Sequence, residues 1–133
     1  MSAATFQEAV EVSHAALQAM ARGDSGPSKQ QWSRRGDETL ANPLVPAIVG
    51  WDNIAREGDR VAAMRRSAGS FSFEEVTRVE TAELGYLVGI ERFTVAQDDA
   101  TPPLVIALRV TAIFRREDEG WNLVHRHADR VVS

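Results

Sequence analysis

Up to Ala68 the apolar residues of this chain recur at every third or fourth position, and from Ser70 onward they recur largely at every second. The first period belongs to helices and the second to strands, so the pattern predicts helices followed by a run of strands. Phe6, Ala9, Val10, Ser13, Leu17 and Met20 trace one stripe, which makes Thr5 to Arg22 an amphipathic helix. Thr5 suits its N-cap, Glu8 three residues on would complete a capping box, and Gly23 is a stop. Pro27 fits the first turn of a short second helix that carries Lys29 to Arg34 and breaks at Gly36. Asp37 to Pro43 reads as a short strand entering an irregular loop from Asn42 to Gly50, because Pro43 and Pro46 bar a long central strand there. Helical spacing returns from Trp51 to Ala68 through Ile54, Val61 and Met64, and Gly69 ends it.

Four strands follow: Phe71 to Thr81, Leu84 to Gln97, Leu104 to Arg116 and Trp121 to Val131, with a polar loop from Asp98 to Pro103. Helices first and strands afterwards mean α+β, with three N-terminal helices packed on one face of a mostly antiparallel sheet. A long sheet that twists and curls over helices leaves a cone-shaped cavity, a default small-molecule site. Along the second strand Tyr86, Val88, Ile90, Arg92 and Thr94 share one face, and Gly85, Leu87, Gly89, Glu91, Phe93 and Val95 the other. The two glycines read as marks of curvature.

The chemistry concentrates in the last hairpin. Strict alternation places Trp121, Leu123, His125, His127 and Asp129 on one face. A three-residue loop of Asp118, Glu119 and a left-handed Gly120 would put Glu117 opposite Trp121, and then Arg109 faces Asp129, Thr111 faces His127 and Ile113 faces His125. A two-residue loop would shift the register by one and set Val110 against His127. The first register is favoured, since it pairs Arg109 with Asp129; a partly buried pair of this kind would make Arg109→Ala destabilising. If this ladder faces the cavity, His127 is a general acid or base held in one tautomer by Thr111 and a carboxylate. If it faces a dimer interface, the same residues fix register. His125 and His127 have the spacing of a metal pair, but no specific third ligand accompanies them, so no metal is expected. Arg92 on the Tyr86 face would bind an anionic end of a ligand if that face is the inner one, and is otherwise a solvated or Glu-paired strand residue. Trp32 is the aromatic candidate for the pocket wall, or else a core residue. His14 sits at the edge of the first helix's apolar stripe as a boundary residue.

Four pieces of the chain carry a family resemblance: Asp37-Glu-Thr-Leu-Ala-Asn-Pro; Gly50-Trp-Asp opening the third helix; Gly89-Ile-Glu-Arg in a central strand; and Arg109-Val-Thr-Ala-Ile-Phe-Arg-Arg leading to Trp121-Asn-Leu-Val-His-Arg-His-Ala-Asp. With these, from about Thr5 to Asp129, the chain resembles the SnoaL-like branch of the nuclear transport factor 2-like superfamily. The resemblance implies a cone-like α+β barrel, usually dimeric, with a pocket between helices and sheet. Polyketide cyclases, ketosteroid isomerases, dehydratases and the association domain of calmodulin-dependent kinase share that fold, which therefore does not name a function. In the kinase association domain an arginine placed like Arg92 lines the pocket. The chain departs from the ketosteroid isomerases, since its one tyrosine, Tyr86, lies in no matching motif.

Composition narrows the partners. At 133 residues, 44% hydrophobic and 26% charged, residues 1–133 form a single globular domain with no repeat or linker. A net charge of −4 and scattered basic pairs argue against nucleic-acid binding. No apolar run approaches the roughly 20 residues that span a bilayer, and no signal peptide opens the chain. The absence of cysteine excludes disulfides and thiolate chemistry and suits the cytoplasm. No phosphate-binding glycine loop or nucleophile elbow is present, so no cofactor is expected. The sequence thus points to a cytoplasmic homodimer holding a small hydrophobic or weakly anionic ligand. It would be a binding protein or a cofactor-free isomerase, cyclase or dehydratase, with a non-catalytic association module as the alternative.

Overall fold

The computed structural model describes residues 3–64, 70–95 and 100–131. Three helices, α1 (Phe6–Ala21), α2 (Gly26–Gln31) and α3 (Trp51–Met64), pack against a curved, unclosed sheet. Its strands are β1 (Thr39–Asn42), β2 (Val45–Val49), β3 (Phe71–Glu80), β4 (Leu84–Val95), β5 (Leu104–Glu117) and β6 (Gly120–Arg130), in the order β2-β1-β6-β5-β4-β3. Among these described strands β1 and β6 are the one parallel pair. The expected α+β architecture, three helices and a strongly curved, mostly antiparallel sheet, is what forms. Among the described residues no helix is long and apolar enough to cross a membrane. The expected end of the third helix at Ala68 and Gly69 lies outside the described residues, as do Ala96 to Asp99.

Local chemistry explains most boundaries. Thr5 is extended and its hydroxyl accepts from the Glu8 N–H at 3.1 Å, while the Glu8 carboxylate accepts from the Ala4 N–H at 3.0 Å, a capping box displaced by one residue. Gly23 follows the C-cap with φ 90°. α2 stops at Gln31 rather than reaching Arg34, because Trp32 and Ser33 join the sheet beside β6: the Ser33 N–H donates to the Leu123 carbonyl at 2.9 Å. Buried Glu117 locks this segment down, accepting from the Ser33 hydroxyl at 2.7 Å, from Arg115 at 2.8 Å and from Asn122 at 2.7 Å. The expected irregular loop after Asn42 is in part a strand. Val45–Val49 pairs with β1 across a turn held by the Asn42 side-chain oxygen, and Pro46 is accommodated because β2 lies at the sheet edge.

Phe6, Val10, Trp32, Leu40, Ile54, Leu87, Phe114, Trp121 and Leu123 form the main core between helices and sheet. The two strand glycines sit where the sheet closes on something. A Cβ on Gly85 would lie 2.6 Å from the Phe6 ring, and one on Gly89 would lie 2.5 Å from the Glu74 carbonyl oxygen and the Phe73 ring. Gly89 stands beside a bulge at Val76, where the β3 register slips between Glu75 and Thr77. Curvature is the role the sequence assigned to these glycines, and close approach of backbone and ring is how it is achieved.

The last hairpin corrects the sequence expectation twice. Glu117 pairs with Gly120 and Arg116 with Trp121, so the connection is the two residues Asp118 and Glu119, and Glu117 does not face Trp121. Yet Arg109 still faces Asp129, Thr111 faces His127 and Ile113 faces His125, because the register slips between Ile113 and Phe114 and leaves Val124 as an extra residue. That bulge restores the pairing but reverses the alternation. Trp121 and Leu123 point into the core; beyond Val124 the inward residues are Arg126, Ala128 and Arg130. His125, His127 and Asp129 are thereby turned to the opposite, uncovered face.

Candidate functional site

The helices and the inner face of β4–β6 enclose a cavity of about 320 Å³, at the lower end of the roughly 300–1,000 Å³ of small-molecule sites. Its wall is mainly apolar: Leu17 and Met20 come from α1, Ile54 and Val61 from α3, and Phe93 and Leu108 from the sheet. The inward phase of β4 carries one charge, Glu91, and that of β6 brings Arg126 across β5 to meet it. Arg126 Nη2 donates to Glu91 Oε2 at 2.6 Å, with side chains 14% and 7% exposed. Charge-assisted contacts in so dry a setting are strong, and neither partner is stable there without the other. That bond uses one guanidinium N–H, and among the described residues no other acceptor engages Arg126. Glu57, also on the wall, is taken up by a two-point contact with Arg60 at 2.8 and 2.7 Å. Gln31 and Ser13 complete the buried polar lining.

His14 lies beside the cavity without lining it. Its ring stacks on Phe73 with centroids 4.5 Å apart, and its Nε2 is buried with no hydrogen-bond partner. Burial lowers its pKa below the ordinary value, and Arg78 adds to this while Glu75 and Glu91 oppose it.

Of the residues singled out from the sequence, Trp32 lines the cavity and is at once part of the core. The other six lie on the uncovered face of the sheet. Tyr86 is 41% exposed, and Arg92 pairs with Glu74 at 2.8 Å in solvent. Arg109 holds Asp129 in a two-point contact at 3.0 and 3.1 Å, both side chains half or more exposed. That bond keeps the Asp129 carboxyl below its usual range. An exposed pair contributes little, so the destabilisation expected of Arg109→Ala does not follow from this geometry. Thr111 and His127 face each other beside it. The neighbouring His125 has its Nδ1 2.7 Å from the Thr39 hydroxyl, and its pKa is lowered by burial and then by His127. The cavity-facing condition for His127 as acid or base is therefore not met within this chain. No cluster of three metal-ligating residues occurs among the described residues.

The two members of the cavity's charged pair were unequally legible in the sequence. Glu91 carried a usable signal, a lone carboxylate in the phase of Leu87, Phe93 and Val95. Arg126 had none, because strict alternation places it opposite Leu123, and only the bulge at Val124 brings it inward.

A curved sheet roofed by three helices over an apolar cavity with one buried ion pair defines a small cone-shaped α+β domain of the nuclear transport factor 2-like type. The chain belongs to the SnoaL-like domain family, which it matches over residues 11–131. Among solved structures it is similar to a nuclear transport factor 2-like superfamily protein of Salmonella enterica (TM-score 0.79, 17% identity, covering 96% of this chain and 91% of that one). It is similar to a candidate dehydratase of the same family from Streptomyces avermitilis (TM-score 0.77, 22% identity, covering 97% and 100%). A ketosteroid isomerase-like protein of Erwinia carotovora is comparable (TM-score 0.74, 18% identity, covering 97% and 100%). At these identities the likeness is one of fold. No curated protein sequence matches the chain.

Proposed function

We propose that the cavity binds a small apolar molecule with a carbonyl or carboxylate end, and that Glu91 and Arg126 carry proton-transfer chemistry on it. The observation behind this reading is the Glu91–Arg126 pair in a mainly apolar cavity. The uncommitted N–H groups of Arg126 would take the ligand oxygen and stabilise charge developing there, while Glu91, an acceptor beside it, would remove a proton from the adjacent carbon. Isomerisation, cyclisation and dehydration all contain that step, and none needs a cofactor. The isomerase-like and dehydratase descriptions of the structural relatives fit the same class. The test is hydrogen exchange on an apolar ketone, 2-tetralone, in deuterium oxide. The protein is expected to accelerate deuteration next to the carbonyl, and Glu91→Gln to abolish the acceleration; equal rates with and without protein would remove the catalytic reading of Glu91.

The uncovered sheet face supports a second element, self-association into a homodimer, in keeping with a cytoplasmic protein. Val79, Leu84 and Tyr86, neighbours on β3 and β4, and Val105 towards the other end of the face are 39–65% exposed on it, and apolar side chains gathered on an uncovered face suit a protein contact. A structure relative from Thiobacillus denitrificans, a candidate calcium/calmodulin-dependent kinase association domain, fits such a role. Sedimentation at micromolar concentration is expected to give twice the chain mass, and Tyr86→Glu to shift it towards the single chain. A single-chain mass for the unaltered protein would remove this element.

A further inference from the structure

Gln31 is the last residue of α2, where the chain leaves the helix to run beside β6, and its side chain lines the cavity. It is 9% exposed, and its Oε1 is buried without a hydrogen-bond partner. Among the described residues no group of the protein itself satisfies this atom, whereas an apolar side chain of the same length would fill the space without a polar group to satisfy. The cavity's other polar groups do not relieve it. Glu57 is held by Arg60, and Arg126 is engaged with Glu91 on the sheet. Gln31 belongs to the helical layer, so the cavity offers an unmatched acceptor on one wall and uncommitted guanidinium donors on another.

We infer that Gln31 is a specificity-determining residue, and that the ligand carries a hydrogen-bond donor, a hydroxyl or N–H group, which its amide oxygen accepts. The inference rests on the cavity being the ligand site, and adds to it a bifunctional ligand. One end presents an oxygen to Arg126, an apolar body fills the middle, and a donor sits away from that oxygen. A site with a buried unpaired acceptor discriminates against ligands that lack the donor, since these leave the acceptor dry and unsatisfied.

The probes are naphthalene-2-carboxylate and its hydroxy and amino derivatives with the substituent moved round the distal ring, the amino group being a donor and a poor acceptor. Binding is read from the methyl NMR signals of Leu17, Ile54 and Leu108. At least one hydroxy isomer and its amino counterpart are expected to bind about tenfold more tightly than the parent acid, the worth of one net hydrogen bond. Gln31→Met, similar in volume, should erase that gain, hold the parent acid within about twofold, and melt at or above the unaltered protein; Gln31→Leu serves if the methionine variant does not fold. If the parent acid binds but no isomer gains, or the gain survives in the variant, Gln31 has no such role and the cavity reading stands. A variant that melts clearly lower would show the amide to be structural and overturn the inference as well. If no naphthoate moves the cavity methyls, the cavity reading itself fails and the inference with it.

Discussion

Arg126→Ala is expected to lower stability by about 3 kcal/mol, as removal of one partner from a buried ion pair does. The carboxylate left behind is 7% exposed, on the strand position paired with Leu108, and no other cation bonds to it among the described residues. Within the cavity the same change removes the guanidinium paired to Glu91, so affinity for naphthalene-2-carboxylate should fall with it. The measurement is a urea denaturation midpoint at pH 7 together with the methyl NMR titration. The double substitution Glu91→Leu with Arg126→Met should recover most of the lost stability and none of the binding, because an apolar pair has no desolvation penalty. A midpoint for Arg126→Ala close to that of the unaltered protein would show the pair to be solvated, and the proposed charge in the cavity would lose its basis.

Gly89→Ala should cost about 3 kcal/mol, at the upper end of ordinary overpacking. The new methyl group would meet the Glu74 carbonyl oxygen at 2.5 Å, and that oxygen is backbone. It cannot step aside, because Glu74 pairs with Ile90 and Glu75 with Gly89 itself, immediately before the Val76 bulge. Gly85→Ala is the informative control. Its Cβ meets the Phe6 ring at 2.6 Å, which is side chain, although Phe6 is itself wedged against Phe114 and Trp121. Tilting a ring is easier than displacing a paired strand, so Gly89→Ala is expected to unfold at lower urea than Gly85→Ala. The opposite order would place the sheet's tightest approach at Phe6.

Where sequence and structure agree, short-range physics is responsible. The change of hydrophobic period, the Thr5 cap with Glu8, the stop at Gly23 and the four-strand meander are decided by neighbours within a few residues. The two strand glycines were legible for the same reason: a residue without a side chain in an extended run marks a place where something else must come close. Tertiary pairing decided the rest. α2 ends early because the edge of β6 captures Trp32 and Ser33, and Val45–Val49 becomes a strand because β1 offers it an edge. Alternation along β4 separates Tyr86, Val88 and Ile90 from Leu87, Phe93 and Val95, but both sets are apolar, so the sequence by itself determines which residues share a face and not which face the helices cover. In β6 even the sharing of a face depends on one inserted residue. The bulge at Val124 has no glycine to announce it, and it exists because a two-residue turn and the far end of the hairpin demand registers that differ by one. That single step turns His127 outward and Arg126 into the cavity.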